Sequence, residues 1–195
     1  MSWTARRWDL YAPYYDRLIG FVPHRRRSLA LAELRPGERL LVDGCGTGLD
    51  LPLIPAEVEV EAIDLSPGMV EQALSKGTAA RVRTMDAQQL EFADATFDCV
   101  LLHLIVAIVP DPLRCLREAA RVVKPGGRVM VFDKYFHGTG RPRLIRRVLN
   151  PLMRFLVTDL NVRTLDLAVE AGFRVVHDEP AMLNGMFRIA RLELR

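Results

Sequence analysis

Cysteine is scarce in this sequence of 195 residues, which contains only three, at positions 45, 99 and 115. An odd number of cysteines without a Cys-x-x-Cys pair disfavours both a disulfide framework and a zinc site, so we expect no metal. Long apolar runs are also missing. The longest, Cys99 to Val109, is interrupted by His103 and is far shorter than the roughly 20 residues of a membrane-spanning helix.

The cysteine pattern also indicates a reducing, cytoplasmic location. The N-terminal residues lead directly to Asp9 without an apolar core, so we expect no signal peptide. Half of the residues are hydrophobic and 26% are charged, which indicates a single folded domain. The net charge is only +3, but arginines concentrate at 25–27 and 141–154. This basicity is weak evidence for an anionic surface, and without an appended RNA-binding domain or a base-flipping motif we expect no nucleic-acid partner.

Short apolar runs alternate with segments of helical length, at 39–43, 58–64, 81–86, 97–102 and 127–133. This alternation predicts a parallel sheet covered by helices on both faces. The last two runs, at 174–178 and 186–194, alternate apolar with polar residues and predict an antiparallel hairpin. We therefore expect an α/β fold with a Rossmann-like, doubly wound, seven-stranded sheet, mostly parallel with a C-terminal antiparallel hairpin.

Helix starts are marked by Ser66-Pro67 and Asp111-Pro112, because each pair places a capping side chain before a proline. Two further helices are predicted at about 4–19 and 23–34, ahead of the first strand. We expect one domain in three parts. These are an N-terminal helical lid at 1–36, a cofactor-binding core at 37–135, and acceptor-side helices with the closing hairpin at 136–195.

The stretch LLVDGCGTG, residues 40–48, places three glycines at a spacing of two directly after the first strand. Leu49 stands where a dinucleotide loop requires its third glycine, and no Gly-Lys-Ser/Thr follows, so pyrophosphate and Walker A loops are disfavoured. Asp64 ends the second strand, where a carboxylate accepts ribose hydroxyls. Asp86 and Ala87 end the third strand, where they suit the edge of an adenine. An adenosine without phosphates satisfies all of these positions.

The chain resembles the class I S-adenosylmethionine-dependent methyltransferases. The resemblance is carried by LLVDGCGTG, by VEAIDLSPGMVEQA at 60–73, by MDAQQLEFADATFDCV at 85–100 and by EAARVVKPGGRVMVFD at 118–133. It is strongest toward enzymes of ubiquinone and menaquinone biosynthesis and bacterial phosphatidylethanolamine N-methyltransferases. The N-terminal WDLYAPYYDRLIG, residues 8–20, resembles their leader, in which a tyrosine-containing helix covers the cofactor.

The resemblance implies S-adenosylmethionine as the cofactor and a set of residues that bind it. These are Gly44, Gly46 and Gly48 at the methionine end, Asp64 at the ribose, Leu65, Met69, Asp86 and Ala87 at the adenine, His103 near the sulfonium, and Tyr14 or Tyr15 in the lid. Asp43 departs from the family pattern, which keeps its acid one residue earlier, at the position of Val42. A shift of one residue turns a side chain to the other face of a sheet, so contact between Asp43 and the cofactor requires the strand to end early.

The reaction implied is an in-line methyl transfer, for which the protein aligns donor and acceptor and excludes water. His103 and Tyr14 are the candidates for assisting proton removal from the acceptor, and Asp133 and Lys134 could also face it. Each has a structural alternative: His103 as a satisfied core histidine, the tyrosines as packing residues, and Asp133 with Lys134 as an ordinary surface ion pair. The acceptor could be a lipid amine, a quinone precursor or another small molecule.

Residues 141–156 form an apolar stripe at helical spacing with arginines mostly off the stripe. One interpretation is a lid helix packed on the core, and the other is an interfacial helix that meets anionic lipid, which would place the protein at the inner face of a membrane. The functional alternatives to a methyltransferase are a binding module or partner subunit that keeps the fold without chemistry, and a nucleotide-dependent oxidoreductase, against which Leu49 argues.

Overall fold

The computed structural model describes residues 3–18, 20–135, 150, 158–159 and 161–195. Within them lie one seven-stranded sheet and five α-helices. The strands are β1 Arg39–Asp43, β2 Glu59–Asp64, β3 Arg81–Thr84, β4 Phe97–His103, β5 Val123–Lys134, β6 Phe173–Met182 and β7 Phe187–Leu194. The helices are α1 Trp3–Leu18, α2 Val22–Ala32, α3 Pro67–Ser75, α4 Pro112–Val122 and α5 Thr164–Glu170, with a short 3₁₀ helix at Leu51–Leu53.

The strand order is β3-β2-β1-β4-β5-β7-β6. Strands β1 to β5 pair in parallel, while β7 pairs antiparallel with both β5 and β6. The predicted fold, mostly parallel with a C-terminal antiparallel hairpin, is therefore confirmed. The order reverses between β1 and β4, and ligands of open α/β sheets bind beyond the carboxyl ends of strands at such a reversal.

Both predicted helix caps are present. The Ser66 hydroxyl accepts a hydrogen bond from the Met69 amide at the start of α3, and Asp111 accepts one from the Arg114 amide at the start of α4. Each cap satisfies a backbone N–H group that lacks a partner within the helix. Both predicted helix starts are confirmed. The start of α3 lies just past the carboxyl end of β2, and the start of α4 ends the loop that follows β4.

The fifth strand begins earlier than predicted, at Val123 rather than at Gly127. Its pairing with β4 shifts register between Phe97 and Cys99. Gly126 in this region has a φ of +79°, a backbone conformation that glycine adopts without steric cost. The Lys-Pro-Gly-Gly segment at 124–127, which precedes the predicted strand, is thus an irregularity within β5 rather than a break before it.

The two sides of the sheet are covered differently. Helices α4 and α5 pack on one face around a core that includes Phe97, Leu116 and Phe173. Helix α2 packs on the other face and contacts β5 and β7. Arg128 of β5 donates hydrogen bonds to the carbonyls of Ala32 and Glu33 at the end of α2, which holds that helix against the sheet. None of the described helices is long and apolar enough to cross a membrane.

Candidate active site

A cavity with about 730 Å³ of empty space, part of it open to solvent, lies beyond the carboxyl ends of β1, β2 and β4. The predicted site residues that line it are Asp43, Gly44, Gly46, Asp64, Leu65, Met69, Asp86, Ala87 and His103. The same wall contains residues that had not been predicted, among them Trp8, Arg25, Gln88 and Ile108. The sequence motifs therefore converge on one site at the point where the strand order reverses.

The glycine loop forms one side of the cavity. All three glycines have positive φ values, of 74° at Gly44, 54° at Gly46 and 80° at Gly48. A Cβ atom at Gly44 would lie 2.2 Å from Cδ1 of Ile105, so this glycine allows the loop to pack against the chain after β4. Gly48 is not among the lining residues, and a Cβ there would lie 3.0 Å from Cβ of Ala73. Its role in this structure is to let the loop approach α3.

Asp64 joins the glycine loop to the start of α3. Its carboxylate accepts hydrogen bonds from the amides of Gly46, at 2.8 Å, and Ser66, at 2.9 Å. Burial raises the pKa of Asp64 to about 6, although the bonds from Ser66 and Gly46 oppose this rise. At neutral pH the group is therefore mostly ionised, and its remaining lone pairs can accept hydrogen bonds from hydroxyl groups in the cavity.

Asp86 and Ala87 follow β3 and lie beside Gln88. One carboxylate oxygen of Asp86 accepts hydrogen bonds from the Gln88 amide, at 2.9 Å, and from its side chain, at 3.0 Å. The Gln88 side chain in turn accepts a bond from the amide of Asp111, at 2.8 Å. This chain of contacts fixes the orientation of the Asp86 carboxylate at one end of the cavity.

Asp43 is the last residue of β1 and is fully buried. Neither of its carboxyl oxygens has a hydrogen-bond partner among the described residues. Burial, reinforced by the negative charges of Asp64 and Asp86, raises the pKa of Asp43 to about 8. The group is therefore a neutral acid at pH 7. Asp43 belongs to the cavity wall, and its approach to the cofactor stays a prediction.

His103 is 4% exposed and both of its ring nitrogens are occupied. Nδ1 lies 2.8 Å from a carboxylate oxygen of Asp50, and Nε2 lies 2.9 Å from the hydroxyl of Ser28. Arg25 contacts the other oxygen of Asp50 at 2.5 Å. Burial would raise the pKa of Asp50, but the charges and hydrogen bonds of His103 and Arg25 outweigh it and lower that pKa.

Removal of a proton from the acceptor by His103 stays a prediction, but this network leaves neither of its nitrogens unoccupied in the structure. A general base needs a nitrogen within hydrogen-bond reach of the proton, and neither nitrogen of His103 is unoccupied. The structural alternative, a satisfied core histidine, describes its position. Its ring still forms part of the cavity wall.

Helix α1 lies over the cavity and presents Tyr15 rather than Tyr14. Tyr15 lines the cavity, whereas Tyr14 is 63% exposed and does not, so the expected cofactor and catalytic roles of Tyr14 are not supported. Burial raises the pKa of Tyr15 to about 12, which keeps its hydroxyl protonated. Trp8 packs edge-on against the Tyr15 ring at a centroid distance of 6.1 Å.

Two aspartates fasten α1 to the core. Asp9 accepts hydrogen bonds from the hydroxyl of Ser66, at 2.5 Å, and from the amide of Gly68, at 3.0 Å, both at the start of α3. Asp16 accepts a hydrogen bond from the Thr47 hydroxyl in the glycine loop and pairs with Lys76 at 2.7 Å. The position of α1 is therefore fixed by contacts with the glycine loop and with α3, which both adjoin the site that it covers.

Asp133 and Lys134 end β5, but the carboxylate does not face the cavity. Asp133 is fully buried and accepts hydrogen bonds from the amides of Ala107, at 3.0 Å, and Lys134, at 2.7 Å. The Lys134 ammonium lies 3.6 Å from it and 5.6 Å from the centroid of the Phe187 ring. The two side chains do form an ion pair, but it is buried rather than at the surface, so the sequence alternative was wrong in its location. The bond from the Ala107 amide to Asp133 ties the chain after β4 to the end of β5.

Relatives of the chain identify the class of protein that this site defines. Residues 41–131 match the family described as a methyltransferase domain. The phosphatidylethanolamine N-methyltransferase of Cereibacter sphaeroides is 32% identical over 203 residues, which cover 100% of this chain and 98% of that protein. The demethylmenaquinone methyltransferase of Bacillus cereus is 30% identical, over 67% of this chain and 58% of that enzyme.

A solved structure of a SAM-dependent methyltransferase from Thermotoga maritima has the same fold, with a TM-score of 0.72 at 23% identity over 97% of this chain and 99% of that one. The chain belongs to the S-adenosylmethionine-dependent methyltransferases, as its motifs indicated. S-adenosylmethionine is its cofactor, and the cavity described above is the candidate site for it.

Proposed function

We propose that the acceptor is the amine of a phospholipid headgroup, and that the enzyme transfers methyl groups to it from S-adenosylmethionine. The observation that carries this proposal is the similarity to a phosphatidylethanolamine N-methyltransferase along essentially the whole length of both chains. The similarity to the B. cereus demethylmenaquinone methyltransferase covers 58% of that enzyme and makes a quinone precursor the second candidate.

The residues of the cavity fit the cofactor. Asp64 would accept hydrogen bonds from the ribose hydroxyls, and Asp86 with the Ala87 amide would bind the edge of the adenine. Leu65, Met69 and Ile108 provide apolar contacts on the cavity wall. Gly44 and Gly46 leave room beside the loop for the methionine end. Acids and apolar side chains at one end suit an adenosine and would repel a phosphate.

S-adenosylmethionine supplies a methyl group that its sulfonium already activates, so the protein needs to align the acceptor and exclude water. Leu104 and Ile105, just past β4, form an apolar wall, and Leu104 is held at a φ of +61° by the bond from its amide to the Phe132 carbonyl. Low polarity suits a reaction in which positive charge moves off the sulfur. Tyr15 and Trp8 close the opposite side against solvent.

The acceptor amine must be neutral to attack. Among the described residues that line the cavity, His103 is the one imidazole, and its nitrogens are occupied. We infer that the amine releases its proton to water before transfer. In that case kcat/KM rises with pH until the amine is fully deprotonated, and an acceptor whose amine has a lower pKa reaches its plateau at a lower pH.

The decisive experiment measures methyl transfer from labelled S-adenosylmethionine to vesicles that contain phosphatidylethanolamine. We expect mono-, di- and trimethylated lipid, and no product from vesicles of phosphatidylcholine alone, whose headgroup has no free amine. A demethylated quinol in the same vesicles tests the second candidate. Labelled quinol with unlabelled lipid would refute the proposal in favour of a quinone precursor, and no product from either would favour the non-catalytic binding module.

Contact with an anionic membrane through residues 141–156 is part of this proposal. All of that segment except Asn150 lies outside the described residues. Its arginines would meet anionic headgroups, with each cation near the surface contributing about 1 kcal/mol. Co-sedimentation with vesicles should rise when phosphatidylglycerol is added and fall with salt. Binding that depends on neither phosphatidylglycerol nor salt would contradict an electrostatic contact.

A further inference from the structure

The buried acid Asp43 stands at a position that otherwise belongs to the apolar core. In the sheet register it is the partner of Ile63 in β2 and of Leu102 in β4, and both of these residues are part of the core on the α4 side of the sheet. Neither of its carboxyl oxygens has a hydrogen-bond partner among the described residues. A buried polar group without a partner destabilises a fold, and an apolar side chain would pack here without that cost. The fold alone therefore gives no reason for an acid at this position.

The cavity offers such a reason, because Asp43 is one of the residues that line it. Strand β1 lies between β2 and β4, so Asp43 lies between the strand ends that carry Asp64 and His103. Gly44, the first residue of the glycine loop, follows it directly in the chain. A cofactor that extends from Asp64 to the glycine loop would pass the end of β1. Asp43 is therefore placed where it can respond to the charge of that cofactor.

The groups around Asp43 explain why it keeps a proton while the site is empty. Burial raises its pKa to about 8, and the negative charges of Asp64, Asp86 and Glu118 reinforce this rise. Cys115 of α4 is close enough for the charge of Asp43 to act on it, and burial raises the pKa of this thiol well above its usual value, so it stays neutral. An ionised Asp43 would therefore be a buried negative charge that faces other negative charges.

The described cations near the site already face acids of their own. Arg25 lines the cavity and pairs with Asp50 at 2.5 Å, and Asp50 also contacts the ring of His103. Lys134 at the end of β5 lies 3.6 Å from Asp133. A further positive charge brought into the cavity would stabilise the carboxylate form of Asp43, because charges interact more strongly in a buried site than in water.

S-adenosylmethionine brings such a charge, since its sulfonium makes it one unit more positive than S-adenosylhomocysteine. We propose that Asp43 releases its proton to solvent when S-adenosylmethionine binds, and takes a proton back from solvent once methyl transfer has turned the sulfonium into a thioether. The carboxylate then stabilises the bound donor and not the bound product, so Asp43 contributes to the specificity of the cofactor site. The proposal rests on the cofactor and is independent of which acceptor is methylated.

Titration calorimetry in two buffers of different ionisation enthalpy counts the protons that are released on binding. With a pKa of about 8, Asp43 holds about nine-tenths of a proton at pH 7, and lowering this pKa by one or two units releases about 0.4 or 0.8 of a proton. We expect this release with S-adenosylmethionine and much less with S-adenosylhomocysteine. Asp64 contributes little, because its pKa of about 6 leaves it mostly ionised before the ligand binds.

Asp43→Asn keeps the size and polarity of the side chain but cannot ionise. Protons released by the ligands themselves are common to both proteins and cancel in the comparison. In the native protein the preference for S-adenosylmethionine over S-adenosylhomocysteine should rise by about eightfold to fortyfold more between pH 6 and pH 9 than it does in the variant, and the variant should lack the extra proton release. Asp98→Asn, which changes an acid paired with Lys124 outside the cavity, is the matched control and should behave as the native protein does.

Infrared difference spectroscopy on the native protein gives a second measurement that needs no variant. The carbonyl stretch of a protonated carboxyl group should decrease when S-adenosylmethionine binds and should persist when S-adenosylhomocysteine binds. Equal proton release by the native protein and Asp43→Asn would assign the protons to another group. A carboxyl band that S-adenosylmethionine leaves unchanged would show that Asp43 stays neutral. Either result would overturn the proposal.

Discussion

The buried acid Asp43 makes the stability of the protein depend on pH in a way that one substitution can isolate. Burial raises its pKa from 3.8 to about 8 in the folded state. Between these values the folded protein keeps a proton that the unfolded chain has released, so raising the pH favours unfolding. At about 1.4 kcal/mol per pKa unit, the roughly three units between pH 4 and pH 7 lower the free energy of unfolding by about 4 kcal/mol.

Asp43→Asn removes this titration while keeping the size and polarity of the side chain. We expect it to be similar in stability to the native protein near pH 4 and more stable by about 4 kcal/mol near pH 7. Urea unfolding followed by circular dichroism at several pH values measures the difference. Asp98→Asn is the control of opposite sign, because Asp98 pairs with Lys124 at 2.7 Å and its pKa is lowered. A stability difference for Asp43→Asn that does not change with pH would refute the reasoning.

Three further predictions concern the walls of the site. Gly44→Ala should cost about 2–4 kcal/mol, because its Cβ would meet Ile105 at a positive φ, and adding Ile105→Val should recover part of this in thermal unfolding. Lys76→Met removes the pairing with Asp16 and should speed S-adenosylhomocysteine release several-fold in stopped-flow tryptophan fluorescence, whereas an unchanged rate would show that α1 does not limit exchange. His103→Gln should lower stability without moving the pH profile of kcat, and a shifted profile would restore His103 as a base.

The fold could be predicted because its signals are local. Each parallel strand is a short apolar run, and Ser66 and Asp111 mark the starts of α3 and α4 within two residues of chain. The start of β5 was placed too late because Pro125 and Gly126 normally break a strand, whereas here pairing between Phe97 and Val123 continues across the irregularity. The start of β5 is therefore determined by its pairing with β4, and the local sequence does not indicate it.

The adenosine end of the site was also predictable, since Asp64, Asp86 and Ala87 each follow a recognisable strand. The other end was not, because Arg25 and Asp50 come together from different elements, 25 residues apart. Which of Tyr14 and Tyr15 faces the cavity depends on how α1 is rotated over the core. The sequence of two adjacent helical residues does not determine that rotation. His103 was ambiguous for a similar reason: its polar partners, Asp50 and Ser28, lie far away in sequence.

The two amide bonds to Asp64 affect how variants at this position must be interpreted. The same carboxylate that suits the ribose also restrains Gly46 and Ser66, so Asp64→Ala releases the glycine loop and the start of α3 together. A fall in cofactor affinity would then combine lost recognition with a more disordered free protein. Asp64→Asn keeps one acceptor oxygen, and hydrogen exchange at the Gly46 and Ser66 amides in the ligand-free variants would separate the two contributions. In the native protein, the carboxylate that would bind the ribose is therefore also the group that orders the site before the ligand binds.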